Sequence, residues 1–286
     1  LMEKILVLGA SGMLGNAVFR VLAGSPQSDV VGTVRSSRSV GLLPNILRER
    51  LISGVDVENS DTLVFLFSKI RPTVVVNCIG LVKQLAESDD PLQAIPVNSI
   101  LPHRLARLCD AVGARLVHMS TDCVFSGKEG MYTEADFADA DDLYGRSKFL
   151  GEVDYPNAIT LRTSIIGHER DGARSLINWF LSQEGQVKGY ARAVFSGFPT
   201  VEIARIIRDY VIPNPELHGV FNVSAEPINK FDLLTLVAEV YGKSIEIVSD
   251  DKLVIDRSLD STRFRQATGF SPEQWPQLIR RMHEFR

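Results

Sequence analysis

Cysteine is scarce in this sequence, with three residues in 286, at Cys78, Cys109 and Cys123. Three thiols cannot close a disulfide framework, and their number fits a reducing compartment. Basic clusters are missing as well. Lys and Arg number 31 against 35 Asp and Glu, for a formal net charge of −4. Neutralising phosphates takes grouped cations, so nucleic acid is not the expected partner. No apolar stretch reaches the roughly 20 residues that span a bilayer, so no membrane span is expected. The five histidines (His103, His118, His168, His218 and His283) show no ligand spacing with cysteine or carboxylate, and no metal site is expected. Ile5–Leu8 runs straight into a glycine-rich turn with no cleavable small-residue site. That does not read as a signal peptide, and the expected location is the cytoplasm. Leu1, ahead of Met2, is expected to be foreign to the natural chain and stays outside the fold argument.

What is present is an ordinary globular composition, 45% hydrophobic and 23% charged, enough for one large domain or two modest ones. The runs Ile5–Leu8, Val30–Val34, Val74–Val76 and Arg115–Met119 read as strands. Their near-continuous apolar character suits a sheet covered on both faces. Leu14–Ala23, Asp61–Lys69 and Leu101–Val112 carry apolar residues at helical spacing. Pro102 sits near the expected start of the last, where a missing N–H is harmless. Strand and helix in alternation predict a doubly wound α/β fold with a parallel, Rossmann-type sheet.

After about residue 165 the rhythm changes. Helices are expected over Ser175–Ser182, Val201–Val211 and Phe231–Tyr241, a strand over Ile245–Val248, and a last helix after Pro276. Pro213-Asn-Pro215 marks a sharp break. The expected division is a nucleotide-binding domain over 1–165, to which 195–225 returns, and a smaller mixed α/β substrate lobe over 166–286.

Gly9-Ala-Ser11-Gly12-Met13-Leu14-Gly15 follows the first strand and opens the first helix. A turn without Cβ atoms that leads into a helix N-terminus offers free N–H groups and a positive dipole end to a pyrophosphate. A glycine pattern alone is weak evidence, but both flanks here are of the required kind. No acidic residue lies between Val30 and Arg48 to hold ribose hydroxyls. Arg35, Ser36 and Arg38 stand there instead and can pair with a 2′-phosphate, which makes NADP(H) the expected cofactor over NAD. Asp56 and Val57 either contact the adenine edge or form a simple turn.

Tyr144-Gly-Arg-Ser-Lys148 places a phenol and an ammonium on one helix face. A nearby ammonium stabilises phenolate, so the Tyr144 pKa is expected to fall from about 10 toward neutrality. That would suit proton transfer to or from an oxygen. YxxxK is a frequent accident on exposed helices. It gains weight from Ser120-Thr121-Asp122 at the end of the strand Arg115–Met119, the sheet edge where ligands bind. Thr121 could donate to the same substrate oxygen; its other reading is a cap hydroxyl. Trp179-Phe180-Leu181 either floors a pocket or packs the small lobe, and Lys83 and Arg174 either reach a diphosphate or are surface charges. The acidic stretch Glu134–Asp142 reads as a solvated loop.

Taken together, Gly9-x-x-Gly12-x-x-Gly15, Asn77-Cys78-Ile79-Gly80, Asn98, Met119–Gly127 and Tyr144–Glu152 resemble the extended short-chain dehydrogenase/reductases. Leu161-Arg-Thr-Ser164, Gly197-Phe-Pro-Thr200, Asn222-Val-Ser224 and Arg257–Ser261 extend the likeness over nearly the whole chain, and are most similar to the dTDP-4-dehydrorhamnose reductase branch. The resemblance implies hydride delivery from NADPH to the C4 ketone of a nucleotide-linked 4-keto-6-deoxy sugar. Tyr144 would be the proton donor, Thr121 the carbonyl-orienting hydroxyl and Lys148 the ribose anchor. Cys78, Ile79 and Gly80 would line the nicotinamide side, and Asn98 would support the active-site helix.

The sequence departs from that pattern at Cys123, where the family carries an aromatic residue, and at Ile165, where it carries Trp. Val194-Phe195 replaces an Asp-Gln pair, and Leu81-Val-Lys83-Gln84 follows the third motif. Asp122, Cys123, Ile165, Lys83 and Arg174 are the expected sugar-side residues. The chemistry is expected to be kept and the sugar to be different, or differently held. An epimerase on the same fold, and a non-catalytic NADP-binding regulatory subunit, are the alternatives. A homodimer is the expectation from base rates.

Overall fold

A computed structural model describes residues 2–170 and 172–286. Six strands alternate with helices through the first part of the chain: β1 (Glu3–Leu8), β2 (Ser28–Val34), β3 (Leu51–Ser53), β4 (Val74–Asn77), β5 (Arg115–Thr121) and β6 (Ala158–Thr163). With Gly219–Asn222 they form one seven-stranded sheet, in the order β3, β2, β1, β4, β5, β6, Gly219–Asn222. Every pairing in it is parallel. The chain order reverses between β1 and β4, and there the carboxyl ends of the strands leave a crevice.

The strands are apolar on both faces because both faces are covered. Ile5 and Val7 of β1 join the apolar cluster on one side, with Val74, Val76, Val117 and Ile159. Leu6 and Leu8 join the cluster on the other, with Val75, Leu116 and Ala158. Helix α1 (Met13–Ala23) buries Leu14, Val18, Phe19 and Leu22 against the first. Asn59 caps the helix Ser60–Ile70 by accepting from Asp61 N and Thr62 N, and that helix buries Leu63, Leu66 and Phe67 against the second.

The helix expected from Leu101 begins earlier. A short turn at Pro91–Ala94, capped by Asp90, continues through a π-helical segment Ile95–Ile100 into Leu101–Val112. Pro102 therefore sits inside a continuous helical run, and the wider π turn accommodates the N–H that it lacks. Similarly, Val201–Val211 divides into an α-helix Thr200–Ile206 and a π segment Ile207–Val211.

The remaining residues build smaller units. Gln186–Tyr190 pairs in parallel with Glu246–Asp250. Ile228–Asn229, Ala193–Phe195 and Ile255–Asp256 make a three-stranded sheet in that order. Helices Leu176–Ser182, Lys230–Tyr241, Thr262–Thr268 and Trp275–Glu284 complete the chain. Phe180 is fully buried and Leu181 packs against the same apolar cluster, while Trp179 is 37% exposed. Among the described residues no helix is long and apolar enough to cross a membrane.

Candidate active site

The carboxyl edge of the sheet opens into a cavity of about 610 Å³. Ser11, Gly12, Met13 and Leu14 form one part of its wall. Gly12 precedes α1 in an extended conformation and caps it with no side chain, so the first N–H groups of the helix have no side-chain acceptor. A Cβ on Gly15 would lie 1.9 Å from the Gly9 carbonyl oxygen; only glycine lets the helix start so close to the strand end. Gly9 itself makes the turn, with φ +84°, and does not line the cavity. These features suit an anionic diphosphate at the helix N-terminus.

Arg35, Ser36 and Arg38 are exposed at the end of β2 and lie outside the cavity lining, which reaches as far as Leu42. Ser36 caps the short turn that follows, accepting from Ser39 N. Asp56 is likewise exposed, and accepts from Glu58 N at 3.0 Å as a turn residue. The Val57 side chain is buried in the core with Val55 and Leu63, so an adenine contact there would fall to its backbone.

Cys78, Ile79 and Gly80 follow β4 and line the cavity. Asn98 ties this loop to the Tyr144 helix, Leu143–Leu150. Its Oδ1 accepts from Leu81 N at 2.9 Å, and its Nδ2 donates to Ser147 Oγ at 3.1 Å. Asp142 caps the helix by accepting from Gly145 N at 2.7 Å. A Cβ on Gly145 would stand 2.3 Å from the Cys123 carbonyl oxygen, so its absence lets the helix reach the end of β5.

Thr121, Tyr144 and Lys148 meet in this cavity. Lys148 Nζ donates to the Met119 carbonyl oxygen at 2.8 Å. Thr121 Oγ1 accepts from Cys123 N at 3.1 Å, capping the short turn after β5, and its side chain lines the cavity with Tyr144. The Tyr144 phenol is raised above its ordinary value, chiefly by desolvation and next by the Cys123 charge, with the Thr121 side chain opposing. This corrects the expectation of a fall toward neutrality, because desolvation of the hydroxyl decides the sign. Burial instead pushes the Lys148 amine down to about 8. At neutral pH the cavity thus holds a neutral phenol and an ammonium, the state of a proton donor. The Cys78 and Cys123 thiols are pushed up to about 12, chiefly by desolvation, and are poor nucleophiles.

Every position at which the sequence departs from the family pattern stands on the cavity wall: Leu81–Gln84, Cys123, Ile165, Val194 and Phe195. Asp122 and Arg174 line it too. Lys83 does so while its amine pairs with Asp142. The stretch Glu134–Asp142 is more than a solvated loop. Glu134 accepts from Asn222 N, and Asp139 accepts from Ser126 N and Oγ. Two residues with no role assigned from sequence, Lys230 and Arg257, also reach the cavity. Arg257 Nε donates to the Phe125 carbonyl oxygen at 2.9 Å. Among the described residues no cluster of three or more His, Cys, Asp or Glu gathers that could hold a metal.

Known proteins agree with this architecture. A dTDP-4-dehydrorhamnose reductase of Aggregatibacter actinomycetemcomitans is 22% identical over 99% of this chain and 99% of its own. The methionine adenosyltransferase 2 subunit beta of Danio rerio is 27% identical over 84% of this chain and 74% of its own. A probable low-salt glycan biosynthesis reductase of Haloferax volcanii is 31% identical over 60% of this chain, which spans 57% of that protein. The crystal structure of a dTDP-4-dehydrorhamnose reductase from Bacillus anthracis in complex with NADP superposes with a TM-score of 0.80 at 18% identity, over 100% of this chain and 99% of that one. The model of the RmlD substrate binding domain matches residues 2–284, and the chain belongs to that family.

Proposed function

We propose that this protein is an NADPH-dependent oxidoreductase that reduces the C4 ketone of a nucleotide-linked 4-keto-6-deoxy sugar. The observation that carries the reading is the convergence of Thr121, Tyr144 and Lys148 on the cavity whose other wall is the glycine turn and the start of α1. The residues present fit the cofactor. An uncapped helix N-terminus faces the cavity, and two exposed arginines follow β2 with no carboxylate nearby in sequence. Residues 1–165 then hold the cofactor and 166–286 mainly the sugar. The return of Gly219–Asn222 to the large sheet supports the expected contribution of 195–225 to the first unit.

NADPH, when bound, supplies the hydride to the carbonyl carbon. Thr121 donates a hydrogen bond to the carbonyl oxygen and fixes its direction. Tyr144 gives that oxygen its proton, since desolvation keeps the phenol protonated until negative charge develops on the substrate. The phenolate left behind is stabilised by the Lys148 ammonium, which the Met119 carbonyl holds in place. Asn98 positions the helix that carries both residues. Lys83 and Arg174 are the candidate cations for the diphosphate, and Ile165, Cys123 and Asp122 border the sugar.

A second reading is a non-catalytic NADP-binding subunit of another enzyme. The relative named as a methionine adenosyltransferase subunit, which matches over 84% of this chain, favours it. Against it, a scaffold places no demand on a phenol, a hydroxyl and an ammonium in one cavity. The experiment is NADPH oxidation with enzymatically prepared dTDP-, GDP- and UDP-4-keto-6-deoxy sugars, with products identified. Turnover on one series supports the reductase. Tight NADPH binding with no turnover on any of them supports the subunit.

A further inference from the structure

The three-stranded sheet of the small lobe brings distant residues to one stretch of cavity wall. Asn229 pairs with Val194, Ile228 with Phe195, and Ile255 with Ala193. Lys230, which starts the next helix, therefore stands beside Phe195, with its Nζ 4.0 Å from the ring centroid. Phe195 is one of the two residues that replace the family's Asp-Gln pair. Where the family pattern places a carboxylate and an amide, this chain offers an aromatic face with a cation upon it.

The Lys230 amine is poorly satisfied. Among the described residues it makes no hydrogen bond and no ion pair, and its contact is the Phe195 ring. Desolvation pulls its pKa down to about 8, opposed chiefly by the Asp122 carboxylate. Lys230 lines the same cavity as Thr121 and Asp122. The cations at the rim, Arg170 and Arg174, are exposed. Lys230 is partly buried and lines the cavity, and the ring contact leaves its N–H donors free to meet a ligand there. A substrate oxygen placed at this ammonium would accept a charge-assisted hydrogen bond.

Which acceptor it meets follows from the substrate class, so the inference rests on the reductase reading above. In a 4-keto-6-deoxy ring the ketone is flanked by C3, which carries a hydroxyl, and by C5, which carries the methyl group. We propose that Lys230 is a specificity-determining residue whose ammonium donates to the C3 oxygen of the sugar and so selects substrates that keep it. A site built around such a donor rejects the analogue that lacks the oxygen, because the donor is then left unpaired.

The test crosses the residue with the substrate oxygen. Wild type and Lys230→Met are compared on a nucleotide-linked 4-keto-6-deoxy sugar and on its 3-deoxy analogue. NADPH affinity serves as the control for folding. The wild type should prefer the 3-hydroxy sugar by about 10- to 100-fold in kcat/KM, mostly through KM. Lys230→Met should lose that preference while NADPH affinity stays unchanged. If the methionine variant fails to hold NADPH, Lys230→Gln, which keeps a polar head, should show a smaller loss of the same selectivity. Equal losses on both sugars, or none on either, would overturn the assignment and leave the reductase standing. A wild type that reduces neither sugar would overturn the reductase reading and this inference together.

Discussion

Glu152 and Arg162 form a buried ion pair behind the catalytic strand: Arg162 Nη2 lies 2.6 Å from Glu152 Oε2, and each side chain is 4% exposed. Arg162 Nε donates to Glu152 Oε1 at 2.9 Å, and Ser120 Oγ donates to the same oxygen at 2.6 Å. The pair thus ties β6 and the second residue after the Tyr144 helix to the residue before Thr121. Removing one partner strands the other charge in the core. Glu152→Ala and Arg162→Ala should each cost about 3–5 kcal/mol, measured by urea denaturation. Replacing both by leucine should cost less than the two single changes together. Single variants within about 0.5 kcal/mol of wild type would show that the pair carries no such weight.

The pH dependence should follow Lys148. Its amine titrates at about 8 in the folded protein against an ordinary 10.5, chiefly because of burial. Below about 8 the ammonium is present to hold the ribose and to steady the Tyr144 phenolate; above it the charge is lost. The profile of kcat/KM for NADPH should therefore fall as pH rises through about 8, and Lys148→Met should lack that limb. Lys230 has a similarly lowered value, so Lys230→Met must keep the limb if Lys148 is its source. For stability the sign is opposite. A depressed amine pKa means that the unfolded chain binds more protons between about 8 and 10.5, so each lysine makes the fold gain stability as pH rises through that window. Stability that falls there would contradict both shifts.

Selection of NADPH over NADH should rest on Arg35, with Arg38 beside it. Both are exposed and follow β2, where no acidic residue stands for a ribose. Charge-assisted hydrogen bonds to a 2′-phosphate are worth about 1.5–3 kcal/mol. Arg35→Ala should raise the Kd for NADPH about 10- to 100-fold and leave NADH binding nearly unchanged. Equal losses for the two cofactors would remove the 2′-phosphate from the role of Arg35.

Much of the fold is legible because β1 and β4 carry consecutive apolar residues, as strands of a doubly covered sheet do. The glycine turn, Thr121 and the Tyr144–Lys148 spacing are legible for a related reason: the chemistry demands residue types at short, fixed separations. Lys230 is not legible. Strands of two and three residues, Ile228–Asn229 and Ala193–Phe195, carry it to the cavity and leave no periodic signal. β3 is hidden in the same way by its three residues. The sign of the Tyr144 shift is beyond sequence as well, since helical spacing brings an ammonium near but says nothing of how far the hydroxyl is desolvated.

The most direct test of the account is Tyr144→Phe, assayed for NADPH binding and for NADPH oxidation on the keto sugar that the wild type accepts. The substitution removes one hydroxyl from a helix whose cap at Asp142 and tie at Asn98 are untouched. NADPH should bind as before, and turnover should fall by about 10²–10⁴, the usual share of acid–base catalysis. Turnover at the wild-type rate would contradict the assignment of Tyr144 as proton donor, and with it the mechanism built on this cavity.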